Sequence, residues 1–119
     1  MSTRSPLFHI ALPNDWERGR RDGIYAMSTR GVTLADEGFV HCSRRDQVAA
    51  TANRFYHDLD ELVLLTIDEA ALDVPVRDED LYGTGEAFPH VYGPIPVAAV
   101  VDARPWIRAA DGAFHHPIS

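Results

Sequence analysis

Three histidines occupy short apolar stretches of this 119-residue chain, at positions where valine, isoleucine or phenylalanine usually stand in a strand. They are His9, His41 and His90, in the segments 7–10, 38–43 and 88–93. A titratable ring in an apolar strand is unfavourable unless it has a hydrogen-bonding partner or a ligand. Three such rings favour one shared cleft with catalytic His9, His41 and His90. The alternative is three separate histidines, each hydrogen-bonded within the fold.

Alternation along a strand groups the neighbours of His41. His41 and Ser43 share one face of the strand, whereas Val40 and Cys42 point to the other face. Ser43 is therefore a candidate ligand-binding residue, and Cys42 is expected to pack like a small hydrophobe. Adjacent strand residues face apart, so a Cys42–His41 nucleophile pair is not expected. Pairing of Cys42 with either of the other two strand histidines stays open.

The third histidine segment carries further candidates. If the segment is extended, Phe88, His90 and Tyr92 lie on one face, although Pro89 weakens regular strand pairing there. Tyr92 is thus a second candidate ligand-binding residue. Among the acidic residues of the loop 78–87, Glu86 is the one to consider for the site, because it lies four residues before His90 in a glycine-containing segment. The chain has no GxGxxG, HExxH, CxxC or Walker motif, and the histidine spacing is not a recognised zinc pattern. A three-histidine metal site assembled in space remains an alternative.

Composition excludes several function classes. The formal net charge of −7 argues against nonspecific nucleic-acid binding, which requires neutralisation of phosphates. All 11 basic residues are arginine, so Schiff-base chemistry on a lysine is excluded. No apolar run is long enough to span a membrane, and a single cysteine fits a reducing compartment. These features predict a cytoplasmic protein with one domain over residues 1–119, a core at about 7–103 and a C-terminal tail at 104–119.

Periodicity predicts an α+β class with a largely antiparallel sheet. Strands are expected at 7–11, 38–42, 62–67, 74–77, 91–92 and 97–102. One helix is expected to be capped by Asn14 or Asp15 and to end near Gly23, and a second to span 46–56. Residues 69–72 resemble a single helical turn. The segment 24–35 is ambiguous, and 78–87 is expected to be an exposed loop.

One ordered set of motifs resembles a known family. The set is FHI, EGFVHCS, ANRFY, LVLLTID and FPHVYGPIPVAAV, and it extends from residue 7 to about 103. It is similar to the small bacterial proteins of domain-of-unknown-function family 952. That family's fold resembles the ADP-ribosyltransferase superfamily, and in particular the catalytic domain of RNA 2′-phosphotransferases. The resemblance implies split antiparallel β-sheets with short helices, and a cleft that takes NAD.

The resemblance also implies roles for individual residues. His9 would contact the ribose or amide on the nicotinamide side of NAD, and His41 would occupy the second strand beside Ser43. The third position falls near His90, Val91 or Tyr92, where transferring members of the superfamily carry Glu or Gln and this chain has neither. Aromatic and cationic side chains that could complete a nucleotide site are Tyr25, Trp16, Arg44 and Arg54.

Three functions are consistent with these residues. The first is binding or cleavage of NAD or an ADP-ribose-like nucleotide in a histidine-lined cleft. The second is a noncatalytic module that binds a nucleotide or another small molecule. The third is a metal hydrolase with histidine ligands. NAD is the expected cofactor or substrate and no metal is expected. A small-molecule nucleotide is the expected partner, nucleic acid is not expected because of the acidic charge, and the sequence identifies no protein partner.

Overall fold

Residues 6–117 are described by the structure, a computed structural model. They contain ten strands: β1 (Leu7–Ala11), β2 (Ile24–Tyr25), β3 (Met27–Thr29), β4 (Val32–Thr33), β5 (Val40–His41), β6 (Glu61–Ile67), β7 (Val76–Glu79), β8 (Phe88–Val91), β9 (Ile95–Pro96) and β10 (Val100–Ile107). They also contain three α-helices: α1 (Pro13–Asp22), α2 (Leu34–Glu37) and α3 (Val48–Phe55). Single 3₁₀ turns lie at Glu69–Ala71 and Val97–Ala99. The predicted α+β class with antiparallel strands is confirmed. No helix in this part of the chain is both long and apolar enough to cross a membrane.

The first sheet has the strand order β1-β6-β10, and its central strand is buried on both faces, as its apolar run predicts. Alternate residues of β6 enter two separate hydrophobic clusters. Leu65 packs in one cluster with Val40 and Val91, whereas Leu64 packs in the other with residues of α3 and with Trp106. This sheet therefore forms the partition between the two halves of the core.

The second sheet has the order β5-β8-β7, and it meets the first at one point. Phe8 of β1 and Ser43, just after β5, exchange two backbone hydrogen bonds of 2.9 and 2.7 Å. Away from this bridge, β1 pairs with β6 and β5 pairs with β8. The junction therefore places β1 and the end of β5 side by side, and with them two of the three strand histidines.

Local signals explain the helices. Helix α1 begins with Pro13, which has no backbone N–H to leave unsatisfied, and it ends at Gly23 in the left-handed conformation with φ of 81°. Its N-cap is Leu12, so the prediction of a cap at Asn14 or Asp15 was wrong. Trp16, on the buried side of α1, belongs to the core.

Two further expectations need correction. Residues 78 and 79 lie in the edge strand β7 and not in the predicted loop, because pairing with β8 tolerates acidic side chains on an exposed edge. The segment 104–117 is not a tail outside the core. Strand β10 extends to Ile107, and both Trp106 and Phe114 are buried in the cluster beside α3. The charged residues 102 and 104 alternate along an edge strand, and this obscured the strand in the sequence.

Candidate functional site

A cleft of about 900 Å³ opens beside the junction of the two sheets. Its lining comes from β1, β3, the end of β5, α3 and the loop after β7. Four of the predicted site residues line it: His9, His41, Ser43 and Arg54. The other four do not: His90, Tyr92, Arg44 and Tyr25. The shared cleft thus includes two of the three strand histidines.

His9 is buried and uses both ring nitrogens within the protein. Its Nδ1 lies 2.7 Å from the backbone carbonyl oxygen of His41, and its Nε2 lies 2.9 Å from the hydroxyl of Tyr25. A carbonyl oxygen can only accept, so Nδ1–H is the donor and Nε2 accepts from Tyr25. Burial lowers the pKa of His9 to about 4, so the ring is neutral at physiological pH. Tyr25 therefore orients His9 from behind the cleft.

His41 differs from His9 in having a ring that is open to a ligand. Among residues 6–117, no group accepts a hydrogen bond from its ring nitrogens or donates one to them. Burial, and then the neighbouring His90, lower the pKa of His41 to about 4. Phe88, which also lines the cleft, has its ring centroid 5.2 Å from that of His41. His41 can thus offer a neutral imidazole as donor or acceptor.

His90 lies next to His41 but does not line the cleft. It contacts a different group of side chains. Its ring stacks on Phe39 with a centroid distance of 4.1 Å, and its Nδ1 donates to the Glu79 carboxylate at 2.9 Å. Tyr92 donates its hydroxyl to the same carboxylate oxygen. These bonds from Tyr92 and His90 lower the pKa of Glu79. The sequence did not single out Glu79; only the pairing of β7 with β8 brings it next to His90.

Of the two predicted arginines, one lines the cleft and the other does not. Arg44 is held by two carboxylates, Glu69 at 3.4 Å and Asp78 at 3.1 Å, and it does not line the cleft. Arg54 of α3 lines the cleft, and its guanidinium lies 5.1 Å from the ring centroid of Phe55. No carboxylate of the described residues forms an ion pair with Arg54. Its positive charge therefore remains available to an anionic ligand group.

Sequence reasoning missed several lining residues. Ser28, Thr29 and Arg30 come from the segment left ambiguous, where a hairpin turns at Gly31 with φ of 75°. Arg30 makes a bidentate ion pair with Asp58, with distances of 2.9 and 2.8 Å. Gly31, which follows Ser28-Thr29-Arg30, indicates a turn, but nothing local indicates which side of the sheet the hairpin covers.

Gln47 connects the cleft to the loop after β7. Its side-chain N–H groups donate to the carbonyl of Ala87 at 2.7 Å and to Glu86 at 3.1 Å, while its oxygen accepts from the backbone N–H of Arg44 at 2.9 Å. Glu86 and Gln47 both line the cleft. This contact holds one end of the loop against the start of α3.

The metal-site alternative has no support in the geometry. Within residues 6–117, no three or more His, Cys, Asp or Glu side chains are arranged to hold a metal ion. Both ring nitrogens of His9 are already engaged within the protein, which removes one of the three proposed histidine ligands.

Comparison with known proteins supports the same fold. The crystal structure of protein CC0527 from Caulobacter crescentus superposes with a TM-score of 0.80 and 26% identity, over 93% of this chain and 94% of that one. The solution NMR structure of CC0527 gives a TM-score of 0.77 and 26% identity, over 92% and 91% of the two chains. No curated protein matched the sequence. Residues 10–103 match the family described as protein of unknown function (DUF952), and the chain therefore belongs to the DUF952 family.

Proposed function

We propose that this protein binds a nucleotide of the NAD or ADP-ribose class in the cleft beside His41. One observation carries the proposal: a cleft of about 900 Å³ combines an open imidazole, aromatic rings and an arginine without an ion-pair partner among residues 6–117. Clefts that bind small molecules typically measure about 300–1,000 Å³ and carry a few polar groups among apolar ones. A nucleotide needs both kinds of surface, since its base is planar and its phosphates are anionic.

Aromatic side chains supply the surface for the base. Phe55 and Tyr82 are large and exposed, and both line the cleft together with the half-buried Phe88. Exposed aromatic rings add little to the stability of the free protein. Stacking of a base on such a ring, however, contributes about 1–3 kcal/mol to binding. The aromatic residues thus favour a planar ligand over a purely aliphatic or sugar ligand.

Arg54 supplies the charge for phosphate. Guanidinium groups bind phosphate oxygens through charge-assisted, often bidentate hydrogen bonds. Arg30 also lines the cleft, but Asp58 already occupies its donor face. On a chain with a net charge of −7, a phosphate ligand depends on such a local cation. Arg54 is therefore assigned to the phosphates.

The proposal includes an ADP-ribosyltransferase-like arrangement of the fold. Two small antiparallel sheets that meet at the Phe8–Ser43 bridge, with a cleft next to it, are consistent with that arrangement. The motif resemblance supports it from the sequence side.

Cleavage of an N-glycosidic bond is a second candidate, and Glu86 is the observation that favours it. This carboxylate lines the same cleft as His41 and accepts a hydrogen bond from Gln47. A carboxylate can stabilise the positive charge that develops on a ribose when the base leaves. Burial keeps His9 and His41 neutral, so neither is an acid for the leaving base at neutral pH.

A titration of isotope-labelled protein with NAD and with ADP-ribose, followed through the backbone amides by NMR, tests the proposal. Saturable shifts are expected around His9, Ser28, His41 and Arg54. A parallel assay for free nicotinamide separates cleavage from binding alone. If several millimolar of either nucleotide leaves these amides unshifted, the proposed function is wrong.

A further inference from the structure

The cleft lining has a buried part and an exposed part of different character. The buried part includes the polar side chains of His9, Ser28 and Ser43, which are only 2%, 1% and 2% exposed, and that of Thr51, which is 9% exposed. The two arginines of the lining, Arg30 in the β3–β4 turn and Arg54 on α3, are both exposed. The buried part therefore offers hydrogen bonds without a compensating cation.

Ser28 is the unusual member of the buried part. Its hydroxyl has no hydrogen-bond partner among residues 6–117, although it is shielded from solvent. A buried hydroxyl without a partner lowers stability, because it has lost its hydrogen bonds to water. A ligand atom in the cleft would restore that hydrogen bond.

His9 sets the charge preference of the same region. Its ring is neutral, since burial lowers its pKa, and its tautomer is fixed by the carbonyl of His41 and by Tyr25. A phosphate or carboxylate next to these groups would lose its hydration without gaining a counter-charge. An uncharged group that both donates and accepts hydrogen bonds avoids this penalty.

We infer that an uncharged polar group of the ligand, a carboxamide or a pair of sugar hydroxyls, bonds the Ser28 hydroxyl in the buried part of the cleft, with the phosphates directed to Arg54. The inference rests on the proposed function and adds an orientation to it. Ser28 is thereby a specificity-determining residue for the uncharged end of the nucleotide.

Calorimetric titration of NAD and ADP-ribose into wild-type protein and the Ser28→Ala variant tests this orientation. Loss of one hydrogen bond should weaken binding by about 3- to 10-fold. At the same time, the stability of the free protein should stay equal or rise, since the variant removes an unpartnered buried hydroxyl. Weaker binding of NAD alone identifies the carboxamide, and weaker binding of both nucleotides identifies the sugar hydroxyls.

Thr66→Val is the matched control. Thr66 also carries a buried hydroxyl without a partner among the described residues, but it lies in β6 and does not line the cleft. Its replacement should leave both affinities unchanged. Ser28→Cys fills the space of the hydroxyl with a larger and weaker donor, so it separates loss of the hydrogen bond from loss of packing. It should show the same loss as Ser28→Ala.

The outcomes distinguish the two claims. If wild-type protein binds a nucleotide and Ser28→Ala binds it equally well, the orientation is wrong and the proposed function stands. If wild-type protein binds neither nucleotide, the proposed function fails and the orientation fails with it.

Discussion

His41 and His90 stand opposite each other on β5 and β8, with ring centroids 5.4 Å apart, but only His41 lines the cleft. The ring of His90 packs on Phe39 and donates to Glu79. The two neighbouring rings therefore have different roles. His41 faces the proposed ligand, whereas the hydrogen bond from His90 to Glu79 links β8 to β7.

Replacement of His41 should affect binding far more than stability. His41→Ala removes the open imidazole and its contact with Phe88, but no hydrogen bond to another residue of 6–117. We expect NAD affinity to fall by about 10-fold and the free energy of unfolding to change by no more than about 1 kcal/mol. Calorimetry and urea unfolding measure the two quantities. A folded variant with wild-type affinity would show that His41 has no role in binding.

Replacement of His90 should have the opposite effect. His90→Ala creates a cavity beside Phe39 and removes one of the two side-chain donors to Glu79. The free energy of unfolding should fall by about 2–4 kcal/mol. NAD affinity measured well below the unfolding transition should remain within about threefold of wild type. Urea unfolding next to His41→Ala gives the comparison, and a larger effect on binding than on stability would contradict this division.

Arg54 should account for the phosphate part of the affinity. Arg54→Ala is expected to weaken ADP-ribose binding by about 5-fold at low salt, since it removes a charge-assisted hydrogen bond at an exposed position. The difference should shrink as salt is added, because salt screens exposed charges. Arg20→Ala is the control, since Arg20 is also exposed but pairs with Glu17 on α1. Equal effects of the two variants would show only a general loss of positive charge.

The sequence predicted correctly those elements that depend only on the spacing of apolar residues along one segment. The apolar run of β6 predicted a doubly buried strand, and alternation predicted that His41 and Ser43 lie on one side. Both predictions depend only on period two in a strand. Helix α3 follows in the same way from its apolar face.

The rest of the site depends on which strands pair. Glu79 contacts His90 only because β7 and β8 run antiparallel in one register. Ser28 reaches the cleft because the β3–β4 hairpin folds next to β1 and β5. Which strands pair is set by contacts between residues distant in sequence, and the composition or periodicity of one strand does not identify its partner strand.

Stability should fall as the solution is acidified from pH 7.5 to 5. Burial lowers the pKa of His9 from 6.5 to about 4, so the unfolded chain binds a proton that the folded protein rejects. The contribution of the neutral His9 ring to the free energy of unfolding is fully present above pH 6.5 and is lost as the pH falls toward 4. For His9 alone the loss at pH 5 is about 2 kcal/mol, and His41 shifts in the same direction. Urea unfolding across this range measures it. His9→Gln should flatten the dependence.

Cys42 should be inert in the folded protein. It is buried in the main hydrophobic cluster, and burial raises the pKa of its thiol to about 12. Since the thiolate is the reactive form, alkylation by iodoacetamide at pH 8 should be undetectable in native buffer and complete in urea. Rapid modification of the native protein would contradict the burial of Cys42 and reopen its pairing with a histidine.

Gln47 should control the mobility of the loop after β7. Its amide donates to Glu86 and Ala87 and also accepts from the backbone of Arg44, so one side chain joins the loop to the start of α3. Gln47→Ala removes all three bonds, and hydrogen exchange of the amides at 81–87 should accelerate by about 10-fold or more. Exchange in β6 should stay unchanged, because that strand lies in the core.

The matched control is Thr84→Ala, which removes only the weak side-chain bond to Asp80 within the same loop and leaves the backbone bond from Thr84 intact. If both variants exchange at the wild-type rate, the loop is held by its own turn around Asp80. If Gln47→Ala alone accelerates exchange and also weakens binding of NAD, the contact that fixes the loop also shapes the cleft, since Glu86 and Tyr82 line it.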